Sequence, residues 1–278
     1  MKAPDFEYLR PETLSEALAM LARHGEDGAI IAGGQSLLPL LHFRLAAPEY
    51  LIDIGRLEGL REIAEGDGNI EIGALVRHCD LAASALIGRE YPLLHQAVGH
   101  IAHPSVRHRG TIGGSLAMAD PAAELGACCL ALEGEVSLQS AAGQRWVGMV
   151  DFFAGIYETA LAADEILTAV RLPRRGGDSI QIFNEVARRR GDFAMAGLAL
   201  VADSGLGNPR LALLGVADRP ILAVRAMALL ARDPTATEAA VALIGDEVDP
   251  ADDPAYPPAY RRHLVRVLLR RTLAGLSP

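Results

Sequence analysis

Two paired-glycine loops constrain this chain more than any other feature. Ala32-Gly33-Gly34-Gln35-Ser36 directly follows the apolar run Ala29-Ile30-Ile31, and Thr111-Ile112-Gly113-Gly114-Ser115 precedes Asp120-Pro121 and Glu124. Glycine reaches positive φ without strain and lets the backbone approach a ligand closely. Successive N–H groups in such a turn form an anion-binding concavity. Two of these in one domain would hold the two halves of a diphosphate, as in a dinucleotide cofactor. The competing reading is a pair of structural turns, and local chemistry alone leaves both open. Neither loop is a Walker A loop, since Gly-Lys-Ser/Thr does not occur, and neither matches GxGxxG. A third pair, Gly176-Gly177, ends Pro173-Arg174-Arg175-Gly176-Gly177 and reads as a turn at a domain break.

Composition narrows the class. The 278 residues, 50% of them hydrophobic, supply core for two or three subdomains. A net charge of −9 argues against a nucleic-acid partner. No apolar stretch approaches the roughly 18 residues of a membrane span, and Met1 to Tyr8 lacks a signal-peptide core. A cytoplasmic chain is expected, unless a partner carries it elsewhere. Cys128 and Cys129 sit in the apolar run Leu125 to Leu132 and read as buried small hydrophobes. No CxxC spacing offers a zinc or iron–sulfur site. His100, His103 and His108 cluster without a matching carboxylate pattern, so no metal site is assigned.

Periodicity orders the elements. Phe6 and Tyr8 suggest a first strand. Thr13-Leu14-Ser15-Glu16 is a capping box, Leu14, Leu18 and Leu21 follow helical spacing, and Gly25 ends the helix. Strands at 29–32 and 50–54 complete a βαβ unit, with Pro39 in the first turn of a short helix. A strand at Ile70 and Ile72, then helices at 80–86 and 93–101, lead to Arg107-His108-Arg109 and the second loop. Asp120, with Pro121 behind it, reads as a helix N-cap rather than an acid catalyst. Strands follow at 136–139 and 166–172. The last third reads as strands at 180–186, 194–202 and 211–216, with helices at 221–231, 238–243 and 260–276. Trp146 and Tyr157 read as core or groove-lining. Arg188-Arg189-Arg190 and the stripe Arg262, Arg266, Arg270 are each either a solvated face or a partner contact.

Several stretches together resemble the FAD-binding medium subunit of molybdenum hydroxylases, the carbon monoxide dehydrogenase, xanthine dehydrogenase and quinoline oxidoreductase group. They are Pro4 to Tyr8, Ala32 to Pro39, Arg107 to Ser115, Ala119 to Glu124, Glu165 to Leu167, Arg189 to Ala194, and Tyr260 to Arg262. The resemblance implies an α+β chain. A vanillyl-alcohol-oxidase (PCMH)-type FAD domain would span 1–175, in subdomains of about 1–55 and 56–175. A C-terminal flavoprotein domain with a three-stranded antiparallel sheet and helices would span 178–278. By resemblance, Ile30, Ile31, Ala32, Gly33, Gly34, Gln35, Ser36 and Leu37 wrap the FAD pyrophosphate. Thr111, Ile112, Gly113, Gly114 and Ser115 hold it from the other side. Ile101 and Glu124 match positions lining the adenosine half and the phosphate-side network. Leu167 matches a residue that touches the isoalloxazine through its backbone, and Phe193 an aromatic that lies near the ring. One position departs: where a flavin-contacting lysine is usual, this chain has Glu185. A carboxylate there either points away or disfavours an anionic reduced flavin and tunes the potential downward. No cysteine-rich insertion of the benzoyl-CoA reductase branch is present.

The implied function is electron transfer. A small [2Fe–2S] subunit and a large molybdenum-cofactor subunit would be partners, assembled as a dimer of heterotrimers. FAD would take electrons singly from the clusters and release them to an external acceptor. A stand-alone FAD-dependent reductase of the same fold and a scaffold that has lost its flavin are the rival readings.

Overall fold

The computed structural model describes residues 2–276, and the chain opens there as a parallel layer. Met1, Ser277 and Pro278, the outermost residues of the two expected domains, lie outside the described residues. The elements are β1 (Glu7–Leu9), α1 (Leu14–His24), β2 (Gly28–Ile31), α2 (Leu37–His42) and β3 (Tyr50–Asp53). Both outer strands pair in parallel with β3. Thr13 caps α1 by accepting from Glu16 N at 3.1 Å, and Gly25 ends it at φ +55°. The capping box is not reciprocal, because the Glu16 carboxylate accepts from Glu12 N at 2.7 Å instead. Ala17, Leu18 and Leu21 bury against Ile52, Ile54 and Ile166, which seats α1 on its own layer and on the next one.

The second layer is antiparallel throughout. A hairpin of β4 (Ile63–Glu65) and β5 (Asn69–Gly73) precedes a helical run. The helices are α3 (His78–Ala83), α4 (Ala85–Glu90), α5 (Pro92–Val98), α6 (Pro104–Arg107), α7 (Ile112–Met118) and α8 (Glu124–Ala131). β6 (Glu135–Ser140) and β7 (Gly143–Gly148) follow, then α9 (Met149–Phe152), the small pair β8 (Phe153–Gly155) and β9 (Glu158–Thr159), and β10 (Ile166–Pro173). The sheet order is β4-β5-β10-β6-β7. β7 was not expected, because Gln144-Arg145-Trp146 is a polar edge strand and carries no apolar run. Its Trp146 lies under the Arg171 guanidinium, 4.1 Å from the ring centroid. Every residue of α8 is buried, Cys128 and Cys129 included, as the apolar run foretold.

The C-terminal sheet has four strands, not three. It comprises β11 (Ile180–Ala187), β12 (Ala194–Asp203), β13 (Gly207–Leu214) and the two-residue β14 (Ile221–Leu222). β14 takes the start of the helix expected at 221–231. The helix itself is α10 (Val224–Arg232), followed by α11 (Thr237–Ile244) and α12 (Pro258–Ala274). β12 is buried on both faces, which explains its unbroken apolar run. Phe183, Ala199 and Val201 join the core around α5 and α8, while Leu198 and Leu200 pack with Leu268 and Leu269 of α12.

Three further expectations are narrowed or changed. Of the two readings of Tyr157 the core one falls, since the residue is 53% exposed, and the groove-lining one is left. Asp120 caps a turn, accepting from Ala122 N at 2.9 Å, and the helix begins four residues later at Glu124. The arginine stripe is internally paired. Arg262 meets Asp249 at 3.7 Å, Arg266 meets Asp246 at 3.1 Å, and Arg270 meets Glu238 at 2.7 Å. These exposed pairs neutralise the stripe without adding much stability.

Tyr91 pins α5 to the second sheet. Its ring is fully buried and its hydroxyl donates to Leu172 O at 2.7 Å. Tyr91→Phe removes that donor and keeps the ring. It is expected to lower unfolding stability by about 1 kcal/mol, read as a lower urea midpoint with an unchanged slope.

Candidate functional site

The first glycine loop runs from the end of β2 to the start of α2. Among the described residues, the backbone N–H groups of Ala32, Gly33, Gly34, Gln35 and Ser36 have no acceptor within the protein. Such a run of unpaired donors is what an oxyanion requires. Gly34 supplies the turn at φ +72°. Gly33 is glycine for a different reason: a Cβ there would sit 2.1 Å from Arg109 O. The loop is therefore laid against the segment that leads into the second glycine pair.

That second pair is not a loop. Ile112, Gly113 and Gly114 form the first turn of α7, capped by Thr111, whose Oγ1 accepts from Gly114 N at 3.1 Å. The N–H groups of Ile112, Gly113 and Ser115 are also spent, on Val76 O, Ala74 O and Thr111 O. Neither glycine is among those with positive φ. Gly113 is required because a Cβ would lie 2.5 Å from Ala74 Cβ. At Gly114 a Cβ would meet Thr111 Oγ1 at 3.0 Å and Ala32 Cβ at 4.0 Å, with nothing else as near. Gly114 thus keeps open the gap facing the first loop. The expectation that both loops offer unpaired N–H groups is corrected: the donors belong to the first loop, and the second shapes the wall.

The segment between these motifs is held from below. His78 is buried, its N–H donates to Gly110 O at 3.0 Å, and a Cβ on Gly110 would strike its ring at 2.7 Å. Burial first, then the Arg107 charge, lowers the His78 pKa to about 4. The imidazole is neutral in the folded protein at neutral pH. Arg107 donates to Ile101 O at 2.7 Å and Ala102 O at 3.0 Å, tying Ile101 to the same segment.

The C-terminal sheet adds an acidic group. Glu124, at the start of α8, has its pKa raised to about 8, chiefly by burial, with Glu185 and Asp120 adding repulsion. Glu185 projects from β11 with a side chain only 3% exposed, and its Oε1 pairs with His100 Nδ1 at 3.1 Å. Its Oε2 is buried without a partner. The cluster of three histidines expected near 100–108 thus gives way to one His–Glu pair. Leu167 is buried in β10 at a bulge in its pairing with β6. Phe193 stands 74% exposed after the arginine segment, where Arg189 pairs with Asp192 at 3.2 Å. His100, His78 and Arg107 were missed as site residues. The partners of His100 and His78 are distant in sequence, and no local motif announces them.

Glu124 gives a pH signature. A carboxyl whose folded pKa lies above its unfolded value binds more protons in the native state. Its presence therefore costs stability as pH rises from the unfolded pKa, roughly 4.5, toward 8. Glu124→Gln in the flavin-free chain is expected to raise unfolding stability at pH 8 by on the order of 1–3 kcal/mol. The difference should vanish below pH ~4. Urea titrations of both proteins at several pH values measure it; a pH-independent difference would mean that Glu124 is not held protonated.

Comparison with known proteins follows this geometry. Residues 4–175 match the family described as FAD binding domain in molybdopterin dehydrogenase, and residues 181–276 match the CO dehydrogenase flavoprotein C-terminal domain. The 6-hydroxypseudooxynicotine dehydrogenase complex subunit alpha of Paenarthrobacter nicotinovorans is 37% identical over 99% of this chain and 95% of its own length. The carbon monoxide dehydrogenase medium chain of Afipia carboxidovorans is 36% identical, with 96% and 95% covered. Among solved structures, carbon monoxide dehydrogenase from Hydrogenophaga pseudoflava superposes with a TM-score of 0.96 at 35% identity, covering 99% of this chain and 98% of that one. Quinoline 2-oxidoreductase from Pseudomonas putida 86 gives 0.92 at 35%, with 99% and 98% covered. The chain belongs to the FAD-binding flavoprotein subunits of the molybdopterin dehydrogenases.

Proposed function

We propose that this chain carries the FAD of a heteromeric molybdenum hydroxylase and passes electrons from a partner's [2Fe–2S] clusters to an external acceptor. The observation that supports it most is the run of unpaired N–H groups from Ala32 to Ser36 facing the small Gly114. Those donors suit the pyrophosphate, with Ile30, Ile31 and Leu37 flanking them. Thr111 to Ser115 form the opposite wall. Ile101, Glu124, Leu167, Glu185 and Phe193 complete the proposed lining. FAD when bound supplies the one- and two-electron chemistry, and the chain supplies binding and charge. No side chain is assigned as a catalytic acid or base.

In this reading the FAD domain, of the vanillyl-alcohol-oxidase (PCMH) type, covers 1–175 and the C-terminal domain 178–278. The partners are a small iron–sulfur subunit and a large molybdenum-cofactor subunit, assembled as a dimer of heterotrimers in the cytoplasm. Among the described residues no helix is long and apolar enough to cross a membrane. Curated relatives at 36–38% identity are named for substrates as unlike as carbon monoxide, caffeine and nicotine. The hydroxylated substrate is therefore assigned to the partner chain, and the acceptor stays open.

Purification from the native source is expected to yield this chain with two others, one showing an iron–sulfur spectrum and one containing molybdenum. A monomer with full turnover would support the stand-alone reductase; a chain that takes up no flavin would support the scaffold. Cofactor released from the complex should run as FAD, not FMN.

Gly114→Val should abolish flavin retention while leaving the circular dichroism spectrum intact, because valine fills the gap opposite Ala32. Gly177→Val should retain flavin, since a Cβ there meets nothing within 4 Å. Equal FAD content in the two variants would overturn the assignment of the second wall.

A further inference from the structure

Glu185 is more than a departure from a family lysine. It reaches inward from β11 between the end of α5 and the start of α8. Gly197, its register partner on β12, leaves the room: a Cβ there would lie 3.1 Å from Glu185 Cβ and 2.6 Å from Leu214 Cδ2. One carboxylate oxygen meets His100 Nδ1, and the other has no donor among the described residues. The two partners differ in exposure: the His100 side chain is 44% exposed and that of Glu185 3%. His100 and Glu185 both line a cavity of about 330 Å³, with Gln96, Ala187, Arg189 and Arg190 around it. The exposed imidazole and the buried carboxylate thus meet at the wall of one cavity.

We propose that His100 and Glu185 form a proton-exchanging pair that takes up a proton from the cavity when the flavin is reduced. This rests on the reading above that Glu185 lines the flavin cleft. Were negative charge added to a cofactor beside Glu185, the His100 Nδ1–H bond would break as an O–H bond forms on Glu185 Oε1, and the imidazole Nε2 would take a proton from solvent in the cavity. One proton enters for the charge added, and no electron passes through either side chain.

The surroundings favour this direction. Facing Glu185 are His100 at the end of α5, Glu124 and Cys128 of α8, and Arg189 and Arg190 beyond β11. Burial raises the Glu185 pKa, opposed by the charge and hydrogen bond of His100. Glu124 and Cys128 are held protonated by burial at neutral pH, so neither neutralises an ionised Glu185. Arg189 is committed to Asp192. Added negative charge nearby raises the proton affinity of Glu185 further.

The test is a redox titration of the flavin in the purified complex from pH 5.5 to 8.5, with flavin content per chain measured for each protein. Parent, His100→Gln, Glu185→Gln and the double variant are compared. The parent midpoint is expected to fall more steeply with pH than that of any variant, and the double variant to match the singles, since the pair acts as a unit. A shifted midpoint with an unchanged pH slope in Glu185→Gln would overturn the proton exchange and leave Glu185 beside the flavin. Unchanged midpoint and slope would overturn both the exchange and the placement of Glu185. If a variant loses flavin, the carboxyl ¹³C shift of Glu185 in the parent complex, oxidised and reduced, decides the matter. Protonation on reduction supports the pair, and a carboxyl that keeps its charge state overturns it.

Discussion

Backbone meeting backbone, with no room for a side chain, is the constraint on which this structure depends. At Gly33 an added Cβ would sit 2.1 Å from a carbonyl oxygen, and at Gly113 it would sit 2.8 Å from another. The first contact fastens the parallel layer to the helical segment of the second layer, and the second seats that segment on the residue after β5. Because Arg109 O abuts Gly33, the first loop cannot close down on itself, and its N–H groups stay unspent. Because Gly113 seats α7 on Ala74, Gly114 is left facing Ala32. The cleft is thus a by-product of how tightly the layers join on either side of it. A methyl group at Gly33 or Gly113 would cost the fold before it cost the cofactor. Gly114, where an added Cβ presses only on the Thr111 hydroxyl and otherwise faces Ala32, burdens the fold less than either.

The C-terminal sheet adds the second constraint. β12 is apolar along nearly its whole length because it serves two cores at once, one around α5 and α8 and one around α12. That double burial leaves β11 little freedom to slide, since a one-residue slip would turn Phe183 out of the core and Glu185 away from α5. Gln96 adds a polar lock: its Oε1 accepts from Phe183 N at 3.0 Å. Arg261 of α12 holds the far side by donating to Met195 O and Gly215 O, with Asp253 at 3.1 Å. The register that buries the sheet is the one that brings Glu185 to His100.

How much of this was legible varies with the range of the interaction. Helix α1 could be read to the residue, because Thr13 and Gly25 act on their own neighbours. The C-terminal strands could be read from apolar runs. β7 could not, because Arg145 and Trp146 form an edge strand held by pairing and by Arg171, far along the chain. The glycine motifs were read as one kind of object and are two. Both carry a glycine pair and a nearby serine, yet only one is left with free donors. What separates them is tertiary: Val76 O and Ala74 O reach the second motif, and among the described residues no acceptor reaches the first. The FAD assignment came from resemblance, since paired glycines alone were equally compatible with turns. The pairing of His100 with Glu185 spans 85 positions, and no periodicity encodes such a contact.

That pairing also changes what Glu185 means. Taken alone, a carboxylate at the position to which the resemblance assigns a flavin-contacting lysine would reverse a charge there and depress the flavin potential. Here Glu185 arrives with His100 at 3.1 Å, so the local charge belongs to the pair. With the imidazole charged, the pair is neutral at short range and oriented as a dipole from α5 toward β11. With it neutral, the carboxylate acts unopposed in a site that burial has already made hostile to charge. A lysine at position 185 would not restore the family arrangement. It would place a cation against the imidazole, remove the acceptor that orients it, and leave a buried ammonium beside Glu124. Lysine in this chain calls for a second change at His100.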